Sequence, residues 1–197
     1  QYATDTAEVI NGKFTFEGKK DLKGGMYLMV LSESNYFDII ISEQYFSFST
    51  KLDDLVGSMT FKNSTENPPF YEYLNFITQM QKDVTPLRQQ LENAEGDAKK
   101  ELQEKASKID TKVKKYRDDF IKENNNKFFS KIVIATTEPE IPDSPLDSTG
   151  KPDKTFPYRY YKQHFWDNID FSDARMLRTP IFYNKMDQYL DKLTAKH

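Results

Sequence analysis

The sequence predicts an α+β protein: an N-terminal antiparallel β-sandwich-like domain, a long antiparallel helical hairpin and shorter C-terminal helices. Two observations predict this class. Short apolar runs separated by tight turns fill residues 1–62, and an apolar repeat with spacings of three and four begins at Asn67. Because only antiparallel neighbours can be joined by short connections, we expect the strands to pair antiparallel.

The β region contains four runs that are typical of strands. They are "QYATDTAEV" (1–9), "GKFTFEG" (12–18), "GGMYLMVL" (24–31) and "YFDIIISEQYFSFST" (36–50), the last holding two strands parted by Ser42 and Glu43. The first run reads as a strand entered partway, so we expect one or two further strands upstream of Gln1. Residues 1–62 are therefore predicted to form the β domain.

Residues 63–134 are predicted to form the helical hairpin. The apolar stripe of the first arm is Ile77, Met80, Val84, Leu87, Leu91 and Ala94, and that of the second arm is Leu102, Ala106, Ile109, Val113, Tyr116 and Phe120. Gly96 lies between the two stripes, which favours two helices that fold back on each other. The same stripe would serve pairing between two chains, so a homodimer through the hairpin stays open.

Two local features refine this hairpin. Pro86 lies inside the first arm, with Thr85 as a candidate N-cap, and the stripe continues across it, which favours a kink over a break. The sequence "NSTE" at 63–66 fits a glycosylation sequon and also a capping signal before the helix at Asn67. We favour the capping interpretation.

The C-terminal third is predicted to be a loop followed by short helices. Residues 135–157 hold five of the nine prolines and form the loop. Residues 158–197 form a helical segment, with one amphipathic helix near Tyr158–Asn168. A second helix begins after Thr179 and Pro180, a favourable cap and first-turn pair, and ends near Leu193.

Composition excludes several classes of function. The net charge is −3, so no basic field would attract nucleic acid, and no apolar run is long enough for a membrane span. Acidic residues are interspersed with the basic ones along "KKELQEKASKIDTKVKKYRDDFIK", at positions that suit helical ion pairs, which favours a solvated helix face over phosphate binding. The chain has no cysteine, which excludes thiol catalysis and thiolate metal sites within these residues.

The acids of "DNIDFSDAR" are the strongest metal candidate. Asp167, Asp170 and Asp173 follow His164, but they are three residues apart and lack the glycine of a calcium loop. We expect them to cap helices and to pair with Arg175 or Arg178. We therefore predict no metal and no cofactor.

The stretch "FPYRYYKQHFW" (156–166) is the strongest candidate surface, with six aromatic residues in eleven. On a helix, Tyr158, Tyr161 and Phe165 share one face, and this face, with Trp166 beside it, would dock on the rest of the protein. The other residues would form an exposed patch for a partner or a sugar or peptide ligand. The candidate patch comprises Tyr158, Arg159, Tyr160, His164 and Trp166.

No catalytic motif appears, so we predict no enzyme activity for this chain. The sequence lacks G-x-S-x-G, a P-loop, G-x-G-x-x-G and H-E-x-x-H. A hydrolase that uses two carboxylates is the remaining enzymatic alternative, because any two acids can meet in space.

Three long stretches resemble known domains. "DTAEVINGKFTFEGKKDLKGGMYLMVL" and "FDIIISEQYFSFSTKLDDLVGSMTFKNSTENPPFYEYLNF" resemble a domain of unknown function found in exported proteins of Gram-negative gut bacteria. There it precedes a thioredoxin-like domain of the alkyl hydroperoxide reductase/thiol-specific antioxidant type. "YYKQHFWDNIDFSDARMLRTPIFYNKMDQYLDKL" resembles a second segment of unknown function that often follows.

The resemblance implies an extracytoplasmic protein, often a lipoprotein held by a lipid anchor. It also implies that thiol chemistry belongs to a following domain with a Cys-x-x-Cys motif, so no catalytic residue carries over to this chain. We expect a non-catalytic accessory or interaction region whose partner is another protein or its own thioredoxin-like domain. The alternative is a ligand-binding module that uses the aromatic patch.

Overall fold

The structure is a computed structural model that describes residues 3–146 and 148–194, and it confirms the α+β class. The strands are β1 (Gly25–Val30), β2 (Tyr36–Ile41), β3 (Ser47–Ser49) and β4 (Thr60–Lys62). The helices are α1 (Asn67–Leu91), α2 (Gly96–Glu123), α3 (Phe128–Ala135), α4 (Phe156–His164) and α5 (Pro180–Gln188). A 3₁₀ helix (Ala174–Arg178) precedes α5, and a π-helical turn (Tyr189–Leu193) follows it.

The strands form two antiparallel two-stranded sheets in the described part of the chain. In the first sheet β1 pairs with β2, and in the second β3 pairs with β4, with Phe48 opposite Phe61. Phe48 also meets Phe37 of β2 edge to face, with ring centroids 5.5 Å apart. The β region is thus antiparallel as predicted, but it has fewer strands than the expected sandwich.

Two of the predicted strands are wrong. Residues 3–9 and 14–18 form no ladder, and residues 1 and 2 of the first run lie outside the described residues. Asn11 and Gly12 instead make a tight turn at φ 50° and 73°, closed by a single bridge between Ile10 and Lys13. The side chain of Phe14 packs against Phe48. Within the described residues, no neighbouring strand continues the pairing.

The helical hairpin is confirmed within one chain. Helices α1 and α2 are joined by residues 92–95 and are about 37 Å and 42 Å long at ~1.5 Å per residue. Every residue of the two predicted stripes is buried or half-buried. Near the base of the hairpin, the rings of Phe76 and Tyr116 stack with centroids 3.7 Å apart. The apolar side chains of the two stripes therefore pack against each other between the two arms.

The two refinements of the hairpin have different outcomes. Helix α1 continues through Pro86, so the predicted absence of a break is confirmed. Thr85 is not an N-cap: its hydroxyl donates to the Gln81 carbonyl at 2.7 Å, one turn back in the same helix. The predicted 63–134 segment also contains a third helix, α3, which a turn at residues 124–127 separates from α2.

Two adjacent buried side chains at the start of α1 join the β region to the helices. The Asn67 amide accepts from the Ile40 N–H and donates to the Ile40 carbonyl, both at 2.8 Å, as a neighbouring strand would. The Glu66 carboxylate accepts from the N–H groups of Phe128 (3.0 Å) and Phe129 (3.3 Å), which begin α3. The Glu66 side chain therefore caps the N-terminus of α3, a helix that is distant in sequence.

The capping interpretation of "NSTE" agrees with this geometry. The Ser64 hydroxyl accepts from the Asn67 backbone N–H at 3.3 Å and from its side-chain amide at 2.9 Å. The Glu43 carboxylate accepts from the Thr65 N–H at 2.8 Å and holds the same turn against the end of β2. The entry to α1 is thus fixed from both sides.

The main core lies where the first sheet, α1, α3 and the 3₁₀ helix meet. Its fully buried aromatic centre is Phe70, whose ring centroid lies 4.7 Å from that of Phe129. Gly25, the first residue of β1, allows the 3₁₀ helix to pack close to the strand, since a Cβ on Gly25 would lie 2.6 Å from the Cβ of Arg178. The Arg178 guanidinium then donates to the Gly24 carbonyl at 2.6 Å.

Replacement of Asn67 by Ala is expected to lower the free energy of unfolding by about 2–4 kcal/mol, because both polar groups of Ile40 lose their partner in a buried site. Urea unfolding followed by circular dichroism measures this change. The matched control is Asn75→Ala, an exposed position on the same helix. Equal effects of the two substitutions would contradict the role assigned to Asn67.

Candidate functional site

A groove of about 820 Å³ lies between the C-terminal half of α2 and helix α4. Its floor is apolar and comes from Val113, Ile121 and Ile134. Its walls carry polar side chains from α2, from the segment after α3 and from α4. Eleven of its fifteen lining residues are polar or charged, so the groove is a more polar surface than the mainly apolar sites typical of small-molecule ligands.

The wall opposite α2 is held by side-chain hydrogen bonds. The Asn168 amide donates to the carbonyl and the hydroxyl oxygens of Thr137, at 2.9 and 2.8 Å. The Tyr161 hydroxyl donates to Glu138 at 2.7 Å, and burial together with this carboxylate raises the pKa of Tyr161 to about 12. The segment after α3 is thereby attached to α4, and the groove has a defined width.

The α4 side of the groove is aromatic. Phe156, Tyr160 and His164 recur every four residues and share one face of the helix. The ring centroids of Tyr160 and His164 lie 4.1 Å apart with an interplanar angle of 31°, and Phe156 extends the row. His164 Nδ1 lies 2.6 Å from a carboxylate oxygen of Asp167, which orients the imidazole.

The charged groups on the walls are mostly paired. Lys114 lies 3.6 Å from Glu140, and Arg117 lies 3.3 Å from Asp118. Within the described part of the chain, Asp110 and the Tyr160 hydroxyl make no hydrogen bond or ion pair to another side chain. Those two groups are therefore available to a ligand.

The predicted patch is divided by the structure. Tyr160 and His164 line the groove, whereas Arg159 pairs with Asp153 at 2.8 Å outside it. The Tyr158 hydroxyl donates to the Leu193 carbonyl at 3.4 Å, and its ring is half exposed. Trp166 is partly buried and packs against the core with other aromatic side chains.

The predicted docking face of Tyr158, Tyr161 and Phe165 is confirmed in part, because Tyr158 is 52% exposed. Phe165 is 1% exposed and contacts Trp166, Tyr161 and Tyr189. The ammonium of Lys185, a buried residue of α5, lies 4.3 Å from the Phe165 ring centroid. The groove residues of α2 were missed, because no local pattern indicates which face of α2 meets α4.

Two of the three acids after α4, Asp170 and Asp173, lie in ion pairs. Arg175 donates to both carboxylate oxygens of Asp173, at 2.9 and 2.7 Å, and its backbone N–H donates to the same carboxylate at 3.1 Å. The predicted cap and ion pair are therefore confirmed for Asp173. Lys131 of α3 lies 2.8 Å from Asp170 and 2.9 Å from Asp173. Across residues 3–146 and 148–194, no three His, Asp or Glu side chains are grouped as a metal site requires.

These ion pairs lower the pKa values of both carboxyl groups, Asp170 and Asp173. Hydrogen bonds from Lys131 and Ser172 lower the pKa of Asp170 to about 2. Arg175, followed by Lys131, holds the pKa of Asp173 far below its usual range. A lowered pKa means that the folded protein binds fewer protons than the unfolded chain. The stabilisation is therefore present above the unfolded pKa and is lost as the pH falls.

We expect Asp173→Asn to reduce the acid sensitivity of the fold, because the substituted side chain no longer titrates. In the unaltered protein, the free energy of unfolding should fall as the pH drops below about 4, the unfolded pKa of these acids, and should keep falling past about 2, the folded pKa of Asp170, because the folded pKa of Asp173 is lower still. Urea unfolding at several pH values measures the slope. Asp97→Asn, a fully exposed position, is the control and should leave the slope unchanged. A slope unaffected by Asp173→Asn would contradict this assignment.

Two family models match the chain. One describes a domain of unknown function (DUF4369) and matches residues 1–81, and the other describes a domain of unknown function (DUF5106) and matches residues 95–197. The two matched ranges are separated near the tip of the hairpin, so that α2 falls within the second. No curated protein and no solved structure shows a significant match. None of the described helices has the length and apolar character to cross a bilayer.

Proposed function

The chain belongs to the family of the domain of unknown function DUF5106, and on this premise we propose that it is a non-catalytic interaction region of an exported thioredoxin-like protein. The resemblance of its sequence to segments that precede thioredoxin-like domains supports this proposal. Under it, the thiol chemistry lies in another domain, since this chain has no cysteine. The protein acts outside the cytoplasm, where a lipid anchor holds it at a membrane.

The hairpin is the observation that carries the proposal. Its apolar stripes are closed between α1 and α2, so its outer faces are charged and exposed along about 40 Å. In α2, Phe120 is the buried residue, and pairs such as Lys105–Glu101 and Lys115–Asp119 lie on the outer surface. A stiff, charged arm of this kind suits contact with a partner through complementary charges.

The partner is proposed to be the thioredoxin-like domain of the same natural protein. The contact surfaces are the hairpin and the Tyr158–Trp166 region, where the half-exposed Tyr158 ring extends the surface beyond the groove. A homodimer through the outer faces of the hairpin is the other arrangement. It would use charged surface, because the apolar stripes already pack within one chain.

The first experiment is the intact mass and terminal sequence of the native protein from its own cells. We expect a lipidated N-terminal cysteine and a C-terminal extension with Cys-x-x-Cys. The thioredoxin-like domain is then expressed alone and titrated into this chain by calorimetry. A native protein that ends at His197 would contradict the proposed context.

Charge reversal on the hairpin tests the contact surface. Lys99→Glu with Lys100→Glu, both exposed on α2, is expected to weaken binding of the thioredoxin-like domain about fivefold to tenfold through lost charge complementarity. The control is Lys19→Glu with Lys20→Glu, an exposed pair outside the helices. Equal weakening by both pairs would indicate a general charge effect and would argue against the hairpin as the contact.

A ligand-binding module is the second candidate function. The groove between α2 and α4 favours it, because Tyr160 and His164 from the aromatic patch meet polar side chains of α2 there. The sequence left a sugar or a peptide as alternative ligands.

A further inference from the structure

We propose that the outer edge of β1, at residues 28–30, pairs with the same edge of a second copy of this chain, antiparallel and about a two-fold axis. This pairing does not depend on the thioredoxin-like partner, and it uses a different surface from the hairpin. A sheet of two strands has little stability of its own, and the pairing joins the β1–β2 sheets of both copies into one sheet of four strands.

The outer edge of β2 is already covered by helix α1. The N–H and the carbonyl of Ile40 both bond to the Asn67 amide, so they face away from β1. Two residues earlier, the Asp38 carbonyl accepts from the Tyr71 hydroxyl at 2.9 Å. These two side chains take the place of a third strand on that side of the sheet. A further strand can therefore add only beside β1.

The same bonds show which backbone groups of β1 face its outer edge. Met26 lies opposite Ile40, whose N–H and carbonyl face away from β1, so those of Met26 face away from β2. Because this orientation alternates along an antiparallel ladder, the N–H and carbonyl groups of Leu28 and Val30 also face outward. Leu31, one position further, donates its N–H across the turn to the β2 side at 2.8 Å, as the alternation requires.

The outer edge of β1 is covered at one end and open at the other. The Arg178 guanidinium bonds to the Gly24 carbonyl and covers the first end. Across the described ranges, no hydrogen bond from outside the sheet reaches the backbone of Leu28 or Val30, whose side chains are 49% and 63% exposed. The strand also lacks charged residues and proline, which protect exposed edges in other proteins. This edge is therefore able to pair with another strand.

The open edge is complementary to itself. With the two-fold axis at Met29, Leu28 of one copy lies opposite Val30 of the other, and the same pair recurs on the far side of the axis. Each of these residues presents one N–H and one carbonyl, so four hydrogen bonds form and none of these groups stays unpaired. Their aliphatic side chains meet on one face of the sheet, as cross-strand neighbours do.

Charge and size indicate a second copy that binds weakly. Residues 24–31 carry no charge, so two copies with a net charge of −3 meet there without local repulsion. A neutral apolar edge also gives no preference to a charged peptide. An edge of three residues buries far less than the about 1,200–2,000 Å² of stable interfaces, so the dimer is expected to depend on concentration.

Amide hydrogen exchange of the intact chain, measured by NMR at about 20 µM and about 1 mM, tests the pairing. We expect the amides of Leu28 and Val30 to exchange at least about twofold more slowly at the higher concentration, because their N–H groups become bonded only in the dimer. The amides of Tyr27 and Met29 face β2 in each copy, so their exchange should not change. Sedimentation equilibrium over the same range measures the dimer directly.

Variants at the edge identify the interface. Leu28→Lys adds a charge to the edge, and Val30→Pro removes an outward N–H that β2 does not use, so both should abolish association while circular dichroism stays unchanged. Leu52→Lys, at a position that is 70% exposed, is the matched control and should leave the dimer intact.

Three outcomes would overturn the proposal. The first is a chain that stays monomeric up to about 1 mM. The second is a dimer in which the exchange of Leu28 and Val30 is independent of concentration. The third is a dimer that is weakened by Leu52→Lys as much as by Leu28→Lys, or only by Lys99→Glu with Lys100→Glu, which would place the interface on the hairpin.

Discussion

The burial of Glu66 beside Asn67 joins β2, α1 and α3 at one point. A carboxylate that is 6% exposed is costly to bury unless charge and hydrogen bonds compensate. Here the first N–H groups of α3 supply the hydrogen bonds, and the positive end of that helix supplies part of the charge. The positive charge of Arg175 is also close enough to interact with Glu66. The start of α1 therefore fixes where α3 lies.

The position of α3 then determines the groove. Lys131 on α3 binds Asp170 and Asp173, and Asp173 in turn holds Arg175, whose guanidinium reaches Ser42 at 3.1 Å beyond the end of β2. The segment after α3 forms one wall of the groove through Thr137 and its bond to Asn168. The same ion pairs and hydrogen bonds therefore stabilise the groove, the base of the hairpin and the core.

Local patterns predicted much of the fold. The hairpin stripes repeat at helical spacing over many residues, and the Thr179 hydroxyl caps α5 as expected, accepting from the Phe182 N–H at 3.4 Å. Strands β1 and β2 combine apolar side chains with clear turns. The runs at 1–9 and 12–18 have the same alternation, but alternation cannot show whether a partner strand is present. Strand pairing depends on the tertiary structure. These two runs form no ladder because no partner strand lies beside them among the described residues.

The candidate site was harder to predict than the fold. The spacing of the aromatic residues predicted an aromatic face on α4, and Phe165 is buried as its spacing indicates. The groove also needs the position of α3 and the segment after it, which depends on the hydrogen bonds that Glu66 accepts from Phe128 and Phe129, 62 and 63 positions further along the chain. No local sequence pattern contains that relation. Tyr160 was thus predicted as exposed surface, while its partners across the groove were not.

Hydrogen exchange on Glu66→Ala tests most directly whether Glu66 supports both α3 and the groove. We expect faster amide exchange throughout α3, in residues 136–140 and around Asn168. Glu72→Ala, at an exposed position on α1, is the control and should leave exchange unchanged. Faster exchange limited to Phe128 and Phe129, with the groove wall still protected, would show that Glu66 is only a local cap and would contradict the account.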